Sequence, residues 1–255
     1  MMTEIKRQMS GKRMKYGLIA DIHGNLEALQ VVLAELRGEG IDQYICLGDV
    51  VGYGADPNEC LELVKSLEPV IVAGNHDWAS VSKTDISYFN PSAREAVGWT
   101  SNQLTKENVD YLRNLKLIEE FKNFVVVHST LVSPQAWGYI LTISDAKANF
   151  AHQTRQLCFI GHSHQPVIVM EDGDGNCGVL PGFSLELAQG RRYIVNIGSV
   201  GQPRDGDPRA AFALYDTPSG QVEIKRVEYD IKLTQDKIIR AGLPRNLALR
   251  LEYGR

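Results

Sequence analysis

The chain has little of what several large function classes require. Its four cysteines (Cys46, Cys60, Cys158, Cys177) form no C-x-x-C pair, the spacing common to thiolate metal sites and dithiol redox centres. Cys46 and Cys158 sit inside apolar runs, as buried free thiols do, so a reducing cytoplasm is the expected compartment. No apolar run approaches the roughly 18 residues a membrane span needs, so no membrane partner is expected. The opening "MMTEIKRQMSGKR" lacks an apolar core and is not a secretory signal; it reads as a flexible leader over residues 1–13. A basic excess is missing as well. The net charge of −4 argues against an extended nucleic-acid surface but leaves room for a local positive pocket.

What is present is an ordinary globular composition, 44% hydrophobic and 23% charged, in 255 residues, enough for a substantial core. The first hundred residues alternate two periods. "KYGLIA" (15–20), "YICLG" (44–48) and "VIVAG" (70–74) read as buried strands. Between them, Leu26, Leu29, Leu33 and Leu36 recur at helical spacing, with Gly38 as the stop. Asp56-Pro57-Asn58-Glu59 opens a second helix, as N-cap, proline at N1 and glutamate at N3, running to about Leu67. Residues 77–120 look mainly helical, with Asn90-Pro91 a start. "NFVVVH" (123–128) and "LCFIGH" (157–162) are further strands, with a loop and helix between them.

After residue 165 the habit becomes antiparallel. "PVIVMEDGDGNCGVL" reads as a hairpin around an Asp-Gly turn, and three more strand patterns come after it with short links. From Thr234 the tail looks like two short helices broken at Gly242-Leu243-Pro244. One α/β domain, parallel in its first half and more antiparallel in its second, is the economical reading.

The informative residues stand at the strand ends. "YGLIA" leads to Asp21 and His23, "YICLG" to Asp49, and "VIVAG" to Asn75-His76-Asp77. "FVVV" ends in His128, and "LCFIG" in His162 and His164. Asp21 to Asp49 is 28 residues and Asp49 to Asn75 is 26, close to the ~30 of one βαβ unit. Each step thus returns a ligand-type side chain to the carboxyl edge of the sheet, where open α/β folds place their sites. Five of the six histidines stand at such ends; only His152 does not, and it reads as structural. Burying so many titratable groups at one edge is costly unless something pairs with them. Two divalent metal ions would. Oxygen and nitrogen donors without cysteine suit Mn, Fe, Zn or Ni, with Mn or Fe preferred.

The ordered set "DIHGN" (21–25), "GDVVGYG" (48–54), "GNHD" (74–77), "VHS" (127–129) and "GHSH" (161–164) resembles the calcineurin-like metallophosphoesterases, over roughly residues 15–200. The resemblance implies a four-layer α-β-β-α sandwich of two mixed sheets flanked by helices, over residues 14–232, with a helical tail at 233–255. It implies that Asp21, His23 and His164 hold one ion and Asn75, His128 and His162 the other, with Asp49 bridging. His76 would face the substrate, stabilising developing charge or protonating the leaving oxygen, and Asp77 would orient that imidazole. A hydroxide held between the ions would attack phosphorus in line. "NIGSVGQPRDGDPRAAF" (196–212) resembles small bacterial members related to diadenosine tetraphosphate hydrolases, whereas Tyr53 stands where the protein phosphatases carry an arginine.

Candidate substrate contacts are Asn25, Tyr53, Arg204 and Arg209. The two arginines either grip phosphate or pair with Asp205 and Asp207, and Trp137 and Tyr139 either stack on a nucleobase or pack as a lid. The expected activity is hydrolysis of phosphodiester or pyrophosphate bonds in nucleotides. Phosphomonoesters, phosphoproteins, or a non-catalytic interaction module on the same fold are the alternatives. Oligomeric state is not legible.

Overall fold

Strands that are apolar along their whole length, such as Phe124–Val127 and Leu157–Ile160, need cover on both faces. The computed structural model, which describes residues 13–255, provides it with two six-stranded mixed sheets. The first runs β3 (Val70–Ile71), β2 (Gln43–Cys46), β1 (Lys15–Ile19), β11 (Ala210–Asp216), β12 (Gln221–Val227), β9 (Ser184–Glu186). Here β1, β2 and β3 are parallel, and β11 joins β1 antiparallel. The second runs β4 (Ile118–Glu120), β5 (Phe124–Val127), β6 (Leu157–Ile160), β10 (Arg192–Asn196), β7 (Val167–Glu171), β8 (Cys177–Leu180). In it β5, β6 and β10 are parallel.

The period-2 alternation of the strands sorts their side chains into layers. Leu157 and Phe159 of β6 meet Leu18, Ile45 and Tyr215 between the sheets, while Cys158 and Ile160 point away. Those outward residues are covered by Ala146 and Phe150 of α6 (Ile143–His152). On the far side of the first sheet, Leu29, Leu33 and Leu36 of α1 (Leu26–Gly38) pack with Leu61 and Val64 of α2 (Pro57–Lys65). The result is the four-layer α-β-β-α order. Three shorter helices, α3 (Asn75–Ser80), α4 (Pro91–Gln103) and α5 (Lys106–Arg113), fill the stretch before β4. The tail forms α7 (Ile231–Arg240) and α8 (Arg245–Leu249).

Several expectations need correction. Of the leader, all but Arg13 lies outside the described residues. "VIVAG" is no buried strand: only Val70 and Ile71 pair with β2, both half-buried at the sheet edge, before Val72 turns to bridge Lys116. The strands β4 and β9 were not legible. Both are three-residue edge strands, held by a neighbour's hydrogen bonds rather than by a pattern of their own. Asp56 stands at the N-cap of α2, which ends at Lys65, but its carboxylate pairs with Lys237 at 2.9 Å instead of capping. The tail helix begins at Ile231, where Asp230 accepts the Leu233 N–H and so supplies the cap. The cysteines are free, and Cys46, Cys60 and Cys158 are buried. Among the described residues no helix is long and apolar enough to cross a membrane.

Phe159 is fully buried between the sheets, with its ring edge-on to Phe124 at 5.8 Å. Phe159→Ala should therefore cost about 3–5 kcal/mol, read as a lower urea midpoint at unchanged slope; a loss under 1 kcal/mol would contradict the packing described.

Candidate metal centre

Each strand must end abruptly if its next residue is to turn into the gap between the sheets. The backbone does this through left-handed residues. Asp21, His23, Asp49, Tyr53, His162 and His164 all hold φ between 51° and 67°. For side chains with a Cβ that region costs about 1–2 kcal/mol per residue, and such strain collects at functional sites. Two glycines allow the approach. A Cβ on Gly74 would stand 2.0 Å from Asp49 Oδ1, and one on Gly161 would stand 2.5 Å from Asp21 Oδ2.

The turns bring every expected ligand together. Asp21 Oδ1, His23 Nε2 and His164 Nε2 form one group, with the two nitrogens 3.1 Å apart and Asp21 3.2 Å from His164. His128 Nε2 lies 3.2 Å from both Asn75 Oδ1 and His162 Nδ1, forming a second. Asp49 Oδ2 stands between them, 3.6 Å from His23 and 3.4 Å from His128. All seven side chains are buried.

The outward ring nitrogens fix how these imidazoles point. His128 Nδ1 donates to the Leu47 carbonyl at 2.8 Å, and His164 Nδ1 to Gln202 at 2.6 Å. His162 Nε2 donates to Trp137 at 2.9 Å, and His23 Nδ1 to Val51 at 3.2 Å. A carbonyl can only accept, so the proton sits on the outer nitrogen and a neutral ring turns its lone pair inward. The inward nitrogens lie in two pairs, His23 with His164 at 3.1 Å and His128 with His162 at 3.2 Å, and two facing lone pairs repel unless a proton or a metal cation lies between them. The donor set, with no sulfur, fits hard or borderline divalent ions. The four carbonyls are functional groups that no side-chain pattern could reveal.

Burial keeps three of the four rings neutral, and His128 is the exception. Burial, with His128's charge second, holds His162 down at about 3. Burial likewise lowers His23 and His164. For His128 burial pulls down too, but Asp49 and Asp21 more than offset it and raise the ring to about 9.

His76 sits beside this cluster without joining either expected ligand set, although its ring also groups with His23 and Asp49. Tyr53 and Phe89 pack on it, and its Nδ1 is buried without a partner. Burial lowers it to about 4 against the pull of Asp49. Asp77 does not orient it. The Asp77 carboxylate instead accepts the backbone N–H groups of Asp49 (2.7 Å), Val50 (2.9 Å), Val51 (3.3 Å) and Gly74 (3.0 Å). It thus clamps the loop carrying Asp49 to the start of α3. Burial and then Asp49's charge push Asp77 up to about 7, a repulsion that cations beside Asp49 would cancel.

A cavity of about 250 Å³ opens over the cluster, with His76, Tyr53, Tyr88, Tyr139 and Arg204 among its walls. Tyr139 stacks on His162 at 4.0 Å, and Trp137 is buried edge-on against Trp78. Two candidates do not come here. Asn25 is buried, capping α1 through Ala28 N–H and donating to the Gly201 carbonyl. Arg209 forks onto Asp207. A roomier depression of about 950 Å³, between Thr154–Gln156 and Gln189–Arg192, touches none of the ligands.

Because a metal needs His128 neutral, uptake near pH 7 must expel its proton, and affinity should climb as pH rises toward 9. Titration calorimetry of Mn²⁺ in buffers of different ionisation enthalpy checks this, with about one proton released expected. Buffer-independent heats would refute it.

Comparison with known proteins identifies the arrangement. The family model "Calcineurin-like phosphoesterase superfamily domain" matches residues 14–220. An uncharacterized protein of Methanocaldococcus jannaschii is 40% identical over 243 residues, 93% of this chain and 97% of that one. The crystal structure of a metallophosphoesterase from Sphaerobacter thermophilus superposes with a TM-score of 0.84 at 40% identity, covering 96% of this chain and all of that one. A symmetrical bis(5'-nucleosyl)-tetraphosphatase of Pasteurella multocida is 31% identical over 118 residues, 44% of this chain and 42% of that protein. With the family model spanning well over half of the chain, this protein belongs to the calcineurin-like phosphoesterase superfamily, hydrolases that work with divalent metal ions.

Proposed function

We propose that this phosphoesterase hydrolyses phosphodiester or pyrophosphate bonds in nucleotides, using two divalent ions, with Mn or Fe preferred. The observation that carries the reading is the pair of donor groups sharing Asp49, set under a cavity that also holds His76 and Arg204. Asp21, His23 and His164 would hold one ion, Asn75, His128 and His162 the other, and Asp49 both. Bound there, such ions supply Lewis acidity toward phosphoryl oxygens and lower the pKa of water.

The remaining chemistry belongs to the chain. His76 is neutral at physiological pH, so one ring nitrogen carries an N–H that it can donate to a substrate oxygen as charge develops. That favours charge stabilisation over proton delivery to the leaving oxygen. Arg204, whose guanidinium rests over the Tyr53 ring at 5.6 Å, adds positive charge on the cavity wall. Asp77 keeps the Asp49 loop and α3 in register rather than acting on substrate. The cavity admits a phosphate and leaves the rest of a substrate at its mouth, where Tyr88 and Tyr139 are exposed. The partial match to a bis(5'-nucleosyl)-tetraphosphatase supports a nucleotide substrate. Free, mostly buried thiols support a cytoplasmic location.

His76→Ala should retain both metals while kcat on bis-p-nitrophenyl phosphate with Mn²⁺ falls about 10²–10³-fold, the range of one lost charge-stabilising donor. Metal content by elemental analysis and turnover are measured on the same preparation. If the two fall together, His76 is a ligand and the division of roles is wrong.

A further inference from the structure

The stretch between β5 and α6 carries two aromatic residues two positions apart, and the fold gives them opposite surroundings. Trp137 is 5% exposed: it meets Trp78 edge-on at 5.6 Å, and its Nε1 donates to Thr84 Oγ1 at 2.9 Å. Its carbonyl accepts the outward N–H of His162. On the other side Ile140 is buried in the cluster that holds Phe150 of α6. Tyr139, between these two anchors, is 48% exposed. Of the two, Trp137 packs and Tyr139 is presented.

The Tyr139 ring is also fixed in orientation. It lies within 14° of parallel to the His162 ring, with centroids 4.0 Å apart, so one of its faces is covered. What stays exposed is the outer face and edge, on the wall of the cavity above the cluster. Tyr88, the other exposed aromatic on that wall, differs. It is 60% exposed and meets Phe89 at 5.8 Å with the rings tilted by 59°, and among the described residues no ring lies parallel to it. A planar ligand stacking on Tyr139 finds its partner already ordered, so little side-chain freedom is lost on binding.

Position and size agree with this. His162 belongs to the second donor group, so Tyr139 stands one stacking distance from a residue of the cluster. At about 250 Å³ the cavity is smaller than the ~300–1,000 Å³ of sites that enclose a whole small molecule. A nucleotide with its phosphate inside must keep its base at the rim, where the open face of Tyr139 lies.

We propose that Tyr139 is the nucleobase platform of this site: its outer face stacks on the base of a nucleotide whose phosphate lies over the cluster. The assignment rests on the phosphoesterase reading and deepens it, because it selects nucleotides over sugar phosphates. Stacking reads the flat face that every base has and not the pattern of its edge, so purines and pyrimidines are both accepted.

The test is calorimetric binding to the Mn²⁺-loaded protein of uncleavable phosphonate analogues, with CH₂ in place of the ester oxygen, of AMP, CMP and ribose 5-phosphate. The wild type should bind both nucleotide analogues about tenfold more tightly than the ribose analogue, the size of one base–aromatic stack. Tyr139→Phe should keep that ratio, since the ring and not the hydroxyl carries it. Tyr139→Leu, which leaves an apolar cover on His162, should erase the ratio and leave the ribose analogue's affinity unchanged. A wild type without the preference overturns the proposal. So does a ratio that survives Tyr139→Leu while all three analogues weaken together, because Tyr139 would then only be supporting His162. The expected ratio and its loss, in a protein that hydrolyses no bis-p-nitrophenyl phosphate, would leave this assignment standing and sink the phosphoesterase reading instead.

Discussion

The site depends on one electrostatic arrangement: imidazole nitrogens and carboxylate oxygens gathered in a buried volume where cations would make their closeness favourable. Leu47, Val51, Trp137 and Gln202 each take the outward proton of one histidine through a backbone carbonyl. In a neutral ring that leaves the inward nitrogen with nothing to offer but an electron pair. Because the acceptors belong to the main chain, the rings are oriented by the fold itself and not by other mobile side chains. Side chains oriented this way would take up a divalent ion with little reorganisation.

Holding that arrangement has a local cost that the rest of the fold offsets. Six left-handed residues crowd one edge of the sheets, and each is less stable than an ordinary turn. Below them, two sheets and their flanking helices bury three contiguous apolar clusters, between and outside the sheets. Asp77 shows how the two regions are joined. One carboxylate gathers four backbone N–H groups from two separate loops, tying the end of β2 to the start of α3. A charged acceptor is the efficient choice there, since a neutral one could not satisfy so many donors at once.

The wall of the cavity is assembled from pieces far apart in the chain. Tyr53 lies beside His23 and His76, Arg204 rests over Tyr53, and Tyr139 covers His162. The tail then packs behind Tyr53. Lys237, from the same tail, pairs with Glu27 and Asp56, and Thr234 bonds Asn25. Residues next to the sequence motifs are thus occupied in holding the tail against the site, which is why Asn25 is structural despite its place in "DIHGN".

The sequence by itself determined the layered α/β class and which histidine and carboxylate residues gather at one sheet edge. Periodicity exposes buried strands, and polar residues placed just after them at βαβ spacing must meet at one sheet edge. Only the tertiary structure decided the rest. Whether Asp77 turns to His76 or to four N–H groups depends on where the Asp49 loop lies. Which arginine reaches the cavity depends on its partners: Asp207 holds Arg209 away, while Arg204 rests over Tyr53 on the cavity wall. The edge strands β4 and β9 exist because a neighbour supplies their hydrogen bonds, and the tail packs behind Tyr53 because the end of the chain folds back onto its first quarter. Local pattern carries identity and period; partnership between distant segments is settled by packing, and packing is read only in three dimensions.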